Sequence, residues 1–237
     1  MNERRKKILR AIISKFIETA QPISSQFLTE VFKFSSATIR NEMRNLEERG
    51  FLRAPHTSAG RAPTDRGFRF FVEEISTTGI LEKMRPTAMR NFEKTKIEYF
   101  AQKKADEKVF DAISILSRMV ENVAFATIPS QKYTFYLGIS KMLSQPEFHA
   151  APESATKIFR ILEENFFEFL ESLNLQTQMQ IFIGDENILP EIRSCALLVG
   201  KFKVLQKRGF IGILGPQRMD FAKNILALEN CLQFLKS

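Results

Sequence analysis

In the stretch "ERRKKILRAIISKFIETAQPIS" the residues Ile8, Leu9, Ile12, Ile13, Phe16 and Ile17 fall at i, i+1, i+4, i+5, i+8 and i+9. That spacing lines one face of a helix and fits no strand. Gln21-Pro22 stops the helix, because the residue before a proline is pushed out of the helical region. Ser24 or Ser25 caps a short second helix, "SQFLTEVF", with Phe27, Leu28 and Val31 facing inward. "KFSS" turns the chain, and Ser35 or Ser36 caps "ATIRNEMRNLEERG", where Ile39, Met43 and Leu46 form a stripe and Gly50 ends the helix. Three helices with short connections are the expected result.

After Gly50 the pattern changes. "FLRA" is a short alternating segment, the loop from Pro55 to Pro63 is rich in proline, glycine and serine, and "TDRGFRFFVEEIS" reads as an amphipathic helix with Phe68, Phe71, Val72 and Ile75 inside. A helix, a helix-turn-helix and a hairpin with a basic loop predict a winged helix-turn-helix domain. Its third helix would enter a major groove. Opposite the apolar stripe lie Ser36, Thr38, Arg40, Asn41, Arg44 and Asn45, side chains that reach base edges or phosphates, and no acid precedes Glu42.

The charge supports that reading. Residues 1–70 hold 14 Lys+Arg against 7 Asp+Glu, and residues 71–237 hold 21 against 20. Nearly the whole formal charge of +8 therefore sits in the first third, as expected for a polyanion-binding module joined to a neutral region. Lys6, Lys7, Arg53 and Arg66 are expected to hold phosphates. A hydrophobic fraction of 44% with 26% charged residues suits a packed globular protein. Arg10 and Lys15 interrupt the apolar residues of the N-terminus, no cleavage site follows, and no run is long enough to span a bilayer. Two widely separated cysteines, Cys195 and Cys231, speak for a reducing compartment. The expected location is the cytoplasm, on the nucleoid when bound to DNA.

"PHTSAGRAPTDRG" brings His56, Ser58 and Asp65 close together and raises the question of a hydrolase. A Ser-His-Asp triad draws its members from separate elements, needs a nucleophile on a rigid turn and an oxyanion hole, and none of that is legible here. The loop reads instead as a wing whose small residues approach a phosphate backbone, with His56, Thr57, Ser58 and Arg61 as donors. Arg61 would sit on a phosphate or in the minor groove. Asp65 helps start the helix after Pro63. No catalytic residue, metal site or cofactor is expected, since His56, His149, Cys195 and Cys231 lack metal-ligand spacing.

The rest of the chain reads as α+β. Residues 81–121 give a charged helical pattern broken near Arg85-Pro86, with Ile113, Leu116 and Val120 inside. "VAFATI", "TQMQIFIG", "CALLVGKFKVL" and "RGFIGILG" are strand-like, and "SATKIFRILEENFFEFLESL" and "RMDFAKNILALENCLQFLKS" are amphipathic helices. Gly209, Gly212 and Gly215 are not followed by the Gly-Lys-Ser/Thr of a phosphate loop and fit a strand ending in a turn. Phe159, Leu162, Phe166 and Phe169/Leu170 form a stripe that is core material or, in part, a homodimer seam. Arg218 and Asp220 either stabilise a helix start or belong to a partner surface.

Residues 1–76, with "SSATIRNEMRNLEERGFLRAPHTSAGRAPTDRGFRFFV", closely resemble the DNA-binding domain of the bacterial heat-inducible transcription repressors of the HrcA family. "YLGISKMLSQPEF" (136–148), "IFIGDEN" (181–187) and "GFIGILGPQRMDFAKNILALENCLQFL" (209–235) are similar to that family's regulatory region. The resemblance implies a repressor of chaperone genes that binds an inverted-repeat operator in double-stranded DNA as a homodimer, is kept active by a GroEL-type chaperonin and is released on heat stress. It also implies a GAF-like regulatory domain interrupted by an inserted dimerisation domain. Here the step from "NVAFATIPS" (122–130) to "YTFYLGISK" (133–141) leaves little room for the insertion, so the GAF-like domain is expected in reduced form. The expected division is 1–76 for DNA binding, 77–121 for a helical linker or dimerisation region, and 122–237 for the regulatory domain. A nucleic-acid-binding adaptor with a partner-binding C-terminal domain, unconnected with heat shock, is the alternative.

Overall fold

A helix needs something to end it, and the first helix is ended by its own backbone. In the computed structural model, which describes residues 1–55, 60–96, 105–128, 133–204 and 207–236, α1 spans Glu3–Thr19. The Asn2 side chain caps it by accepting from the Arg5 amide at 2.9 Å. Ala20 then turns left-handed at φ 53°, its N–H still bonded to the Phe16 carbonyl, and Pro22 forbids continuation. Ser24 caps α2 (Ser25–Val31) and Ser35 caps α3 (Ser36–Glu48), each hydroxyl accepting from the amide three residues on. Gly50, at φ +74°, follows the end of α3. Ile8, Leu9, Ile12 and Ile13 of α1 meet Leu28, Ile39 and Leu46 in a core with no solvent exposure.

One inward position fails. Val31 is 51% exposed: it is the last residue of a seven-residue helix, and the extended Phe32 after it leads the chain away before a further turn covers it.

β1 (Leu52–Arg53) and β2 (Ala62–Pro63) pair antiparallel, Leu52 opposite Pro63 and Arg53 opposite Ala62. Beyond this pair Ile23 and Arg61 exchange two backbone hydrogen bonds of 2.9 Å. The bridge depends on Gly60, because a Cβ there would run into the Ile23 carbonyl. α4 (Asp65–Thr77) is capped by Thr64, whose hydroxyl accepts from the Gly67 amide and donates to the Gly50 carbonyl at 2.6 Å. Asp65 is the first residue of α4, where a carboxylate is favourable. Phe68, Val72 and Ile75 are buried and Phe71 is half-buried.

The chain divides into two compact units, Met1–Thr78 and Gly79–Ser237. The second begins with α5 (Ile80–Lys96) and α6 (Ala105–Met119). The expected break at Arg85-Pro86 does not occur, for α5 runs through Pro86. Packing of α5 against α6 and against α11 (Phe221–Lys236) compensates the hydrogen bond that proline removes. Arg85 also fastens α5 by donating to Glu82 on its own helix and to Glu229 on α11, the latter at 2.8 Å.

β3 (Val123–Ile128), β4 (Tyr133–Leu137), β5 (Met179–Ile183), β6 (Cys195–Val204) and β7 (Lys207–Pro216) form one antiparallel sheet in the order β4-β3-β7-β6-β5. Between β4 and β5 come α7 (Ile139–Leu143), α8 (Pro146–Ala150), α9 (Pro152–Glu164) and α10 (Phe166–Ser172). The continuous helix expected over residues 154–173 is split at Asn165, whose φ of −138° leaves the helical region. On one sheet face Val123, Phe125, Leu197 and Val199 pack with Ile158, Leu162, Phe166 and Leu170. Leu162, Phe166, Phe169 and Leu170 of the phenylalanine stripe are therefore core, and Phe159 is half-buried at its margin. Gly200 follows Val199 and faces the other way, and a Cβ there would press on Leu232 of α11, so the opposite face is covered by α11.

The three glycines of β7 are packing positions. A Cβ on Gly212 would collide with the Leu198 carbonyl and the Phe125 ring, and one on Gly215 with the Asn122 side chain. Arg218 and Asp220 divide their roles. Asp220 caps α11 by accepting from the Lys223 amide at 3.0 Å. Arg218 is 11% exposed and ties the start of α11 back to Gln145 and Glu147 through hydrogen bonds of 2.5–3.1 Å.

Candidate nucleic-acid interface

What a helix offers to a partner depends on where its acids point. Along α3 the core takes Ile39, Met43 and Leu46, while Ser36, Ala37, Arg40, Asn41 and Arg44 are exposed. Glu42 lies between them in sequence and yet is buried, its carboxylate accepting from Arg5 Nε at 2.6 Å with Arg4 at 3.6 Å. Glu47 turns to the side, where Arg61 Nε donates to it at 2.8 Å. From Ser36 to Arg44 the outer face of α3 thus carries two guanidinium groups, an amide, a hydroxyl and a methyl, with no acid.

The residues expected to read bases are not equivalent. Asn41 and Arg44 are exposed and unengaged by any ion pair among the described residues. Arg40 is exposed, with its Nε resting 3.3 Å from the Ser36 carbonyl one turn back. Thr38 is half-buried, and its hydroxyl hydrogen-bonds the Ser35 hydroxyl at 2.9 Å, so it serves the helix cap. Ala37 was not singled out by sequence reasoning, although a small exposed residue between cap and first arginine is where a helix comes nearest to a surface.

The residues expected on phosphate fall into two groups. Lys7 and Arg53 are exposed and project freely among the described residues. Lys6 pairs with Glu3 at 2.8 Å, which raises its pKa, but both lie at the surface where the pair is readily exchanged for another anion. Arg66 lies over the Phe51 ring, 4.7 Å from its centre, and donates to the Arg49 carbonyl at 3.0 Å. Arg61 is at the base of its loop, held by the Ile23 bridge and by Glu47, and not near a tip. His56, Thr57 and Ser58 lie outside the described residues.

Sequence reasoning passed over Arg4, Arg5 and Arg10. Arg10 makes a two-pronged contact with Glu74, Nε to Oε2 at 2.9 Å and Nη2 to Oε1 at 2.6 Å, joining α1 to α4, and Glu74 raises its pKa. Acids at core-facing helix positions, Glu42 beside Met43 and Glu74 beside Ile75, are the signal that marks such pairs. Elsewhere, burial pushes the Cys195 thiol up to about 12 and raises that of Cys231 as well. His149 is exposed, and no metal-binding cluster is found among the described residues. No helix among them is long and apolar enough to cross a membrane.

Comparison with known proteins bears on this arrangement. The family model described as the HrcA protein C-terminal domain matches residues 72–225. The chain belongs to the HrcA family. Curated relatives named heat-inducible transcription repressor HrcA include one from Desulfitobacterium hafniense, 27% identical over 334 positions that cover 97% of this chain and 95% of the relative. Another, from Chloroflexus aurantiacus, is 40% identical over 131 residues, which are 54% of this chain and 34% of the relative. The first alignment is far longer than the 237 residues of this chain, so it passes through a stretch that the relative has and this HrcA-family chain lacks. A crystal structure of a protein described as hypothetical shares the fold, with a TM-score of 0.81 at 20% identity, over 99% of this chain and 97% of that one. The HrcA relatives are named as transcription repressors and not as enzymes.

Proposed function

We propose that Met1–Thr78 is a winged helix-turn-helix domain, that α3 is its recognition helix, and that the protein represses transcription by occupying an operator in double-stranded DNA. The observation that carries this reading is the acid-free outer face of α3 between Ser36 and Arg44, created by turning Glu42 inward onto Arg5. Arg40, Asn41 and Arg44 read base edges, each good contact contributing about 1–3 kcal/mol of discrimination. Ser36 stands at the phosphate end and Thr38 supports it through the cap. Lys6, Lys7 and Arg53 neutralise backbone phosphates, and the loop carrying His56, Thr57 and Ser58 is the wing. Arg61 and Arg66 act mainly by holding that wing in place, since Glu47 and Phe51 engage their guanidinium groups.

The second unit, a sheet between two helical layers, is read as a reduced GAF-like regulatory domain, and two copies of the chain are read as a dimer matched to an inverted repeat. The names of the relatives support a repressor released on heating; chaperone genes as targets and a GroEL-type chaperonin as the partner that keeps it active are what the family resemblance implies. The cytoplasm is the compartment where such a protein works.

Selection of full-length protein on random duplex DNA at a stated salt concentration tests this. An enriched inverted repeat is the expected result, and relaxed preference at one position of each half-site with Arg44→Ala locates the readout. Enrichment of one half-site alone refutes the dimer, and no enrichment above nonspecific binding refutes the repressor. Chaperonin added to the same assay is expected to raise operator occupancy; unchanged occupancy refutes that partner.

A further inference from the structure

The edge of the five-stranded sheet holds a cavity that DNA binding does not use. β4 is a terminal strand, paired only with β3 among the described residues. Beside it a cavity of about 430 Å3 is lined by four consecutive residues, Tyr133, Thr134, Phe135 and Tyr136. Successive side chains of a strand point to opposite faces, so a cavity that touches all four runs along the edge of β4 and not over one face. The size falls in the range of specific binding sites.

The opposite wall is formed where α9 passes into α10. It carries Glu163, Glu164 and Glu168, all exposed and in no ion pair among the described residues, together with the ring of Phe167. No lysine, arginine or histidine among the described residues lines the cavity. Three carboxylates beside aromatic rings attract a cation on an apolar stem. Thr134, 4% exposed, and the half-buried Tyr136 also line the cavity, and the Tyr136 hydroxyl donates to the Leu162 carbonyl at 2.7 Å.

We propose that the free edge of β4 accepts an extended basic peptide segment as a sixth strand, with its arginine or lysine side chains received by Glu163, Glu164 and Glu168. Strand addition satisfies the unpaired backbone edge, and the side-chain pocket supplies selectivity. The occupant is a different polypeptide and not a second copy through the same edge. β4 contains no cation, and joining two β4 edges about a two-fold axis would bring two sets of these three carboxylates together. β5, the other edge strand, contains none either.

The test uses full-length protein and a fluorescein-labelled peptide of alternating arginine and valine, followed by fluorescence anisotropy. The chain carries a net charge of +8, so nonspecific attraction of a basic peptide is opposed and a saturable signal reports the acidic wall. Saturable binding is expected, weakened at least tenfold when Glu163→Gln, Glu164→Gln and Glu168→Gln are combined, all three being surface positions. It is also expected to weaken at least tenfold when alternate peptide amides are N-methylated, and to slow hydrogen exchange at the β4 amides. Absence of saturable binding up to millimolar peptide overturns the proposal. So does binding that is indifferent to the triple substitution or to N-methylation, and so does displacement of the peptide by arginine ethyl ester at equal concentration, which would mark a small-cation pocket without strand pairing.

Discussion

Removing Arg5 is expected to harm the first unit more than neutralising its partner Glu42, and the structure sets the size of the difference. The Glu42 side chain is 10% exposed and Arg5 27%, with 2.6 Å between Nε and Oε2; Arg4, half-exposed, stands 3.6 Å from the other oxygen. Breaking a fully buried pair costs about 3–5 kcal/mol because a charge is left uncompensated, and an exposed pair contributes only about 0.2–1 kcal/mol. Arg5→Met strands the carboxylate with only the longer Arg4 contact, which places the loss at about 2–3 kcal/mol, between those limits. Glu42→Gln leaves an arginine whose flexible arm reaches water and keeps a side-chain acceptor, so its loss is about 1 kcal/mol. In the double variant the stranded charge is gone, and its cost should fall below the sum of the singles by about 1 kcal/mol or more. Native-state hydrogen exchange at the core amides of α1 and α3 reads the opening of this unit by itself. The asymmetry should persist at about 1 M salt, because buried pairs are weakly screened. Equal losses for the two single variants, or strict additivity, would falsify the view that Glu42 is held inside by Arg5.

Gly60→Ala should destabilise the first unit by about 2–3 kcal/mol, since it breaks two backbone hydrogen bonds and adds a steric clash; unchanged exchange protection at the Ile23 and Arg61 amides would sink this account of the bridge. Arg44→Ala should reduce discrimination at one operator position by about 1–3 kcal/mol, whereas Lys7→Ala should weaken binding evenly across sequences and lower the salt slope by about one unit; competition assays at several salt concentrations separate the two, and identical profiles would refute the division of roles. Cys195 ionises near 12 in the folded chain because of burial, and the unfolded thiol near its ordinary value of about 8.5. Its folded pKa is raised, so its contribution is fully present below the unfolded value and is lost as pH rises between the two. Stability should therefore fall from about pH 9 upward with proton release on unfolding; a flat profile to pH 11, or rapid alkylation of native protein, would contradict the burial of both thiols.

Where a position is decided by neighbours in sequence, the sequence was sufficient. The apolar stripe of α1, the serine caps of α2 and α3, and Gly50 after α3 follow from helical periodicity and from side chains that satisfy amides three residues away. The four strand-like segments of the second unit were legible for the same reason, as runs of apolar residues bounded by turns. Pro86 misled because its local effect is to end a helix, and only packing against α6 and α11, drawn from distant sequence, overrides it. Asn165 erred in the other direction, since nothing in "LEENFFEF" except one asparagine announces that the helix will split. Arg218 was undecidable, because its partners Gln145 and Glu147 lie more than seventy residues away.

The sequence by itself determined the succession of three short-linked helices, the concentration of charge in the first third, the α+β character of the remainder and the exposure of Ser36, Arg40, Asn41 and Arg44 on α3. All of these are consequences of periodicity, capping and composition, which act over a few residues. The tertiary structure decided which charges remain available. Glu42 and Glu47 of α3 and Glu74 of α4 are drawn onto Arg5, Arg61 and Arg10 by contacts between separate segments of the chain, so the outer face of α3 from Ser36 to Arg44 is basic because Glu42 is paired on the inner side. It also decided that β4 stands at a sheet edge beside three carboxylates that form no ion pair among the described residues. Strand order is fixed by pairings between remote segments, and no local pattern records which strand is left open.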